Sequence, residues 1–303
     1  MTYAAHHILT LLASLLAMAA MSRSRLTWRT PRTSLLIWQA IGLTLVLSAV
    51  GTALAIGLAP YRLGIVPAVV GFLHDLTRGD LPTGITAFHL FLTACGIAVA
   101  LWIAAAFARS AGSVAALRRR QRSLLGLIAH PHPELQEALV VAHPAVAAYC
   151  VPGRKAAIVV STGSLDLLTD QELRAVLAHE RAHARERHDL VILPFAALHR
   201  AFPASRHVHA MLDAVALLVE MRADDRAARD IDRLTLATAL HRFSTCDRIA
   251  SPPGTLGGAG HDLDARIARL TMPSRTPWPV GVLLLAVALT VVSTPLSLFF
   301  LPL

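Results

Sequence analysis

Four runs of apolar residues, at about 3–21, 34–59, 85–108 and 279–301, are each long enough to cross a bilayer, which takes about 20 residues of helix. No other feature of the chain restricts its fold as strongly. Inside hydrocarbon the backbone must satisfy its own hydrogen bonds, so such runs are helices. The composition agrees. Only 16% of the residues are charged, where a soluble domain carries about 25%. The first run contains "AMA" at 17–19, which resembles a signal-peptidase site. However, no Lys or Arg precedes Arg23, and a signal peptide begins with a positive region. We read this run as a span. Pro295 in the last run is compatible with a kinked span.

The formal charge of +9 comes from arginine, since Lys155 is the only lysine. Many of the arginines flank the apolar runs, which makes the excess a topology signal and not a nucleic-acid footprint. Arg23, Arg25, Arg29 and Arg32 follow the first run. Arg62 and Arg78 follow the second. Arg109, Arg118, Arg119, Arg120 and Arg122 follow the third. The positive-inside rule then places the N-terminus outside and the long block after the third run in the cytoplasm. The expected organisation is residues 1–108 as three transmembrane helices, 109–277 as a cytoplasmic domain and 278–303 as a fourth transmembrane helix. Three cysteines without regular spacing give no disulfide framework.

Within the block, "HPHPEL" (130–135) reads as a break before a short helix. "AVAAYCVPGRKAAIVVST" (145–162) reads as two strands around a Pro-Gly turn. "TDQELRAVLAHERAHARERHDL" (169–190) opens a helix, with Thr169 and Glu172 spaced as a capping box. "ILPFAALHRAFP" (192–203) suits either a membrane interface or a core. A helix is expected at about 206–230, a flexible Gly/Pro loop at 251–262 and a short amphipathic helix at "LDARIARL" (263–270).

The chemistry lies in the capped helix. His179, Glu180 and His183 spell H-E-x-x-H. On a helix, residues i and i+4 lie about 40° apart around the axis and about 6 Å along it, so both imidazoles can reach one ion. Glu180 is then placed to act as general base on a metal-bound water. From this composition roughly 0.015 such strings are expected by chance. A charged, solvated face explains Arg185, Glu186, Arg187 and His188, but not that placement.

Two histidines leave a zinc ion one protein ligand short. Glu220 lies 37 residues after His183, and it is the only glutamate with an aspartate, Asp224, four residues on. The pair can supply a carboxylate ligand together with a hydrogen-bond acceptor for a ligating histidine. Asp225 sits about 100° further round and ranks below Asp224.

With these motifs the chain resembles the integral-membrane zinc metallopeptidases of the BlaR/MecR type. The likeness rests on "AYCVPGRKAAIVVSTGSLDLLTDQELRAVLAHERAHARERHD", on "EMRADD" and on the arrangement of apolar runs. It implies a mainly α membrane protein with four transmembrane helices. It also implies a cytoplasmic α+β gluzincin-like metallopeptidase domain between the third and fourth helices. Zn²⁺ is then expected on His179, His183 and Glu220, with Glu180 as the base and Asp224 behind the ligands. The implied activity is cleavage of a cytoplasmic repressor, a BlaI/MecI-like winged-helix protein. The chain departs from the full-length sensors in two ways. Only two residues follow Leu301, and the residue three before Lys155 is Pro152, so S-x-x-K does not occur. Direct acylation by a β-lactam is therefore not expected. The order Glu186, Arg187, His188, Asp189 behind the second ligand also differs.

Two other readings share the motifs: an HtpX-type membrane quality-control protease, and a membrane scaffold with a structural metal. An oxyanion donor is also expected, and the spacing does not select among His207, His209 and His241. The strand at 157–161 is a candidate for substrate binding by edge addition.

Overall fold

The computed structural model describes residues 2–132, 135–153, 156–245, 263–272 and 278–300. The chain folds as two compact units. One comprises residues 1–107, 197–211 and 276–303. The other comprises 108–196 and 212–275.

The first unit is helical. It holds α1 (Thr2–Arg23), α2 (Pro31–Gly57), α3 (Ile65–Arg78), the first half of α4 (Ala87–Ile128) and α11 (Trp278–Phe300). Three of these, α1, α2 and α4, are long and apolar enough to cross a membrane. The fourth apolar run forms α11, whose described apolar stretch is Ala288–Ser297. Helices α1, α2 and α11 pack on one another. Small residues let them approach: a Cβ on Gly51 would lie 2.5 Å from the buried ring of His7, as at tight crossings of membrane helices. Thr10 and Ser48 share a 2.8 Å hydrogen bond between α1 and α2. Two features go beyond the sequence reading. The loop between the second and third runs contains α3, and α4 continues 20 residues beyond the expected end of the third span.

The second unit is α+β. Strands β1 (Ala129–His132), β2 (Leu135–Val141), β3 (Ala148–Val151) and β4 (Ala157–Ser161) form one sheet in the order β1-β2-β4-β3. The expected hairpin is present as the antiparallel β3–β4 pair. Among the described residues no helix follows "HPHPEL" before β3. That segment enters β1 and β2, an antiparallel pair whose register shifts at Pro131/His132. An edge strand tolerates Pro131, which has no N–H to give a neighbour. The candidate edge strand 157–161 is corrected as well. It is β4, and it lies between β2, which pairs with it in parallel, and β3. The edges belong to β1 and β3.

β4 is buried on both faces. Ile158 and Val160 pack with Leu177, while Val159 packs with Leu125 at the end of α4. This explains its unbroken apolar run. Above the sheet lie α5 (Thr162–Leu167) and α6 (Asp170–Arg185). They are followed by α7 (His188–Ala201), α8 (Arg206–Ala227), α9 (Arg233–Thr245) and α10 (Leu263–Thr271). Helix α6 packs against β3 and α9, and α9 against α10. The Gly/Pro loop expected at 251–262 lies outside the described residues.

Candidate metal centre

Helix α6 is fixed at its start by the capping box. Thr169 Oγ1 accepts the Glu172 N–H at 3.4 Å, and Glu172 Oε2 accepts the Thr169 N–H at 2.9 Å. Val176 and Leu177 on α6 pack into the core. Together these contacts set the rotation of the helix and turn His179, Glu180 and His183 inward, where they are 5%, 4% and 0% exposed.

His179 Nε2 and His183 Nε2 lie 3.0 Å apart. From α8, Glu220 places Oε2 at 3.4 Å from His179 Nε2 and Oε1 at 3.5 Å from His183 Nε2. The three residues thus form a triangle whose closest donor contacts are 3.0, 3.4 and 3.5 Å, the last two made by different oxygens of Glu220. Tetrahedral ligands at about 2.0–2.1 Å from a zinc ion are about 3.3–3.4 Å apart, so contacts of this size leave the three residues close enough to share one ion. Among the described residues this is the group able to hold a metal.

The outer nitrogens are also committed. His179 Nδ1 is 3.0 Å from Asp224 Oδ1. A carboxylate only accepts, so Nδ1 carries a proton, and Nε2 faces His183 and Glu220, where it becomes a ligand once it gives up its own proton. His183 Nδ1 is 3.0 Å from Nδ1 of His188. For His183 Nε2 to be a ligand, Nδ1 must be the donor and His188 Nδ1 the acceptor. The His188 proton then lies on Nε2, which faces Glu186 Oε2 at 3.6 Å. Glu186 is itself held by Arg222 through two bonds of 2.6 and 2.7 Å.

Here the structure corrects the sequence reading. His188 is not on a solvated face; it is 1% exposed and stacked edge-on to His183. The cause is Arg187. Its φ of 50° is left-handed, which ends α6 and folds the chain back. On a continued helix His188 would point about 140° away from His183. Glu186 is likewise paired and only partly exposed. Asp189 is buried beside Arg118 at 3.1 Å.

Sequence reasoning missed Arg266. This residue, on α10, is 5% exposed. It donates two bonds to Asp224, at 2.7 and 2.9 Å, and lies 3.0 Å from Glu220 Oε2. Arg269, one turn on, pairs with Asp225 at 2.8 Å. The two aspartates thus divide: Asp224 faces His179 and Arg266, and Asp225 faces Arg269. The spacing of Arg266 and Arg269 on an amphipathic helix was visible. Their partners, more than 40 residues away, were not. Of the three histidines weighed as oxyanion donors, His207 and His209 belong to the other unit and His241 is on α9.

The electrostatics follow from burial and these pairs. Burial alone would lower the pKa of His179, but hydrogen bonds to Asp224 and Glu220 carry it up to about 10. His183 is pushed down to about 3 by burial, reinforced by His179 and His188. Burial raises Glu180 to about 8 against the pull of His179. Burial would also raise the two α8 carboxylates. Instead His183 and Arg266 hold Glu220 well below the usual range, and Arg266 holds Asp224 near 2. Glu180 accepts the backbone N–H of Cys150 on edge strand β3, and its Oε2 has no hydrogen-bond partner among the described residues.

Residues 112–247 match the family model of peptidase family M48. The match covers under half of the chain. It includes the sheet, α6 and the α8 carboxylates, and it ends before Arg266. It supports a metallopeptidase of a membrane type but does not single out the BlaR/MecR type. No curated protein and no solved structure matches the chain. The M48-like region contains all five residues selected from the sequence, and Arg266 is added from outside it.

Proposed function

We propose that this protein is a membrane-anchored, zinc-dependent endopeptidase. The observation that carries the reading is the donor triangle of His179, His183 and Glu220, in which each imidazole is held by its outer nitrogen. In the metal-free protein a proton on His179 Nε2 bridges the 3.0 Å gap to His183 Nε2, and an ion that replaces this proton meets two imidazole nitrogens and a carboxylate, a donor set that fits zinc. When bound, the ion would polarise a scissile carbonyl and lower the pKa of a water. Glu180 would take a proton from an attacking water on its carboxylate and pass it to the leaving amine. Its buried carboxyl, held near 8 in the metal-free protein, is poised for both directions of transfer. Asp224 and His188 hold the ligand rings. Among the described residues no fifth strand pairs with the outer edge of β3 next to Glu180, and this edge offers backbone groups to an extended substrate.

The finer reading follows from the resemblance and the charge pattern. The N-terminus lies outside, four helices span the membrane and the catalytic domain faces the cytoplasm, with the bilayer as its constant partner. The substrate is a protein, a BlaI/MecI-like repressor, and no nucleic acid is bound directly. The similarity to family M48, rather than to the BlaR/MecR type, favours a second reading in which the substrates are damaged membrane proteins. Comparing proteomes of wild-type and Glu180→Ala cells separates the two. A single repressor accumulating in the variant supports signalling, and a broad set of membrane proteins supports quality control. No difference would count against proteolysis. A reporter fused near Gly257 tests the orientation, and a signal from outside the cell would reverse it.

A further inference from the structure

The α7–α8 hairpin has a tip that the catalytic reading does not use. Residues 197–211 fold with the helices of the membrane unit, while the rest of both helices folds with the sheet. The end of α7 is tied to α4: the indole Nε1–H of Trp102 donates to the carbonyl of Ala201 at 3.2 Å. That carbonyl belongs to the last turn of α7 and has no donor within the helix. Trp102 lies seven residues before Arg109, the first charge after the third apolar run. This is about 10 Å of helix, so Trp102 lies inside the run, about two turns from the end where the membrane–water boundary falls.

The surface of the tip suits that boundary. Phe195, Ala197 and Ala201 are buried, but Phe202 is 41% exposed, and Pro203, Ala204 and Arg206 are exposed with it. The outer part of the tip is therefore not core, the alternative the sequence left open. Ser205 starts α8, accepting the Val208 N–H at 3.4 Å, and a 3.3 Å contact between His199 and His209 braces the two helices. From 190 to 212 the chain has no acidic residue, while Arg200, Arg206 and three histidines fall within it. A cationic turn carrying one exposed aromatic ring, tied to the third span near its C-terminal end, is complementary to an anionic lipid surface.

We propose that the turn at 202–205 docks on the bilayer at the C-terminal end of the third span. Phe202 enters the headgroup boundary and Arg206 pairs with the phosphates of anionic phospholipid. This rests on the spans lying in a membrane and not on the zinc chemistry, so it survives a failure of the protease reading. The full chain is reconstituted in nanodiscs of phosphatidylcholine alone or with phosphatidylglycerol. An environment-sensitive dye is placed on Ser205→Cys, with the unsubstituted protein labelled in parallel as background. A control dye goes on Gln171→Cys, at the exposed start of α6. The expected result is iodide quenching several-fold weaker at 205 than at 171, and weaker still with phosphatidylglycerol. Arg206→Gln should remove most of the phosphatidylglycerol effect, roughly fivefold for one arginine, and leave the phosphatidylcholine value unchanged. Equal quenching at 205 and 171 in both lipids would overturn the proposal and favour a soluble partner for the tip. Shielding indifferent to both phosphatidylglycerol and Arg206→Gln would overturn the anionic-lipid assignment.

Discussion

Replacing His188 with leucine removes the acceptor for His183 Nδ1 while keeping an apolar side chain in a site that is 1% exposed. His183 is fully buried, so its Nδ1–H can recruit neither water nor another described partner. An unsatisfied buried donor costs about 1–3 kcal/mol. The ring relieves that cost by turning, which moves Nε2 off the donor triangle. Loss of an outer partner of a ligating histidine weakens metal binding about 10–100-fold, or about 1.4–2.8 kcal/mol, and the two figures agree. The assay is zinc affinity by chelator competition on the full-length protein in detergent. The visible spectrum of the Co²⁺ form reports the ligand geometry. His188→Gln retains an acceptor oxygen and should recover most of the affinity. Thermal unfolding of the metal-free forms separates a general packing loss from a metal-specific one. Wild-type zinc affinity in His188→Leu, with an unchanged Co²⁺ spectrum, would refute the tautomer argument.

Three further outcomes follow from the same site. Arg266→Met leaves Asp224 and Glu220 buried without their cation and should destabilise the domain by about 3–5 kcal/mol, read as a lower midpoint in denaturant; an unchanged midpoint would count against the pairing. In the metal-free protein the pKa of His179 is raised from 6.5 to about 10. Its ion pairs therefore stabilise fully below pH 6.5 and are lost as the pH rises through 10. Zinc binding at pH 7.5 should accordingly displace about one proton, measured by calorimetry in buffers of different ionisation enthalpy, and zero release would contradict the assignment. Glu180→Gln should keep zinc and lose cleavage.

What could be read from the sequence was local. The capping box, the His179–His183 spacing and the β3–β4 hairpin each depend on residues within one turn or one loop. Glu220 and Asp224 were found because a carboxylate pair at i, i+4 is as local as the histidine pair. What escaped depended on tertiary pairing. β2 and β4 lie side by side only because a parallel partner comes from elsewhere in the chain, so β4 looked like an edge and the prolines of "HPHPEL" looked like a stop. His188 escaped because one left-handed residue, Arg187, overrides helical periodicity. Arg266 escaped because α10 meets α8 across more than 40 residues.

The most direct test of the central claim measures metal content and peptide-bond cleavage together, in wild type and Glu180→Gln. About one zinc per chain is expected in both, with cleavage of an unfolded model substrate slowed at least about 100-fold in the variant. A wild-type protein that binds no zinc, or a variant that cleaves at the wild-type rate, would contradict it.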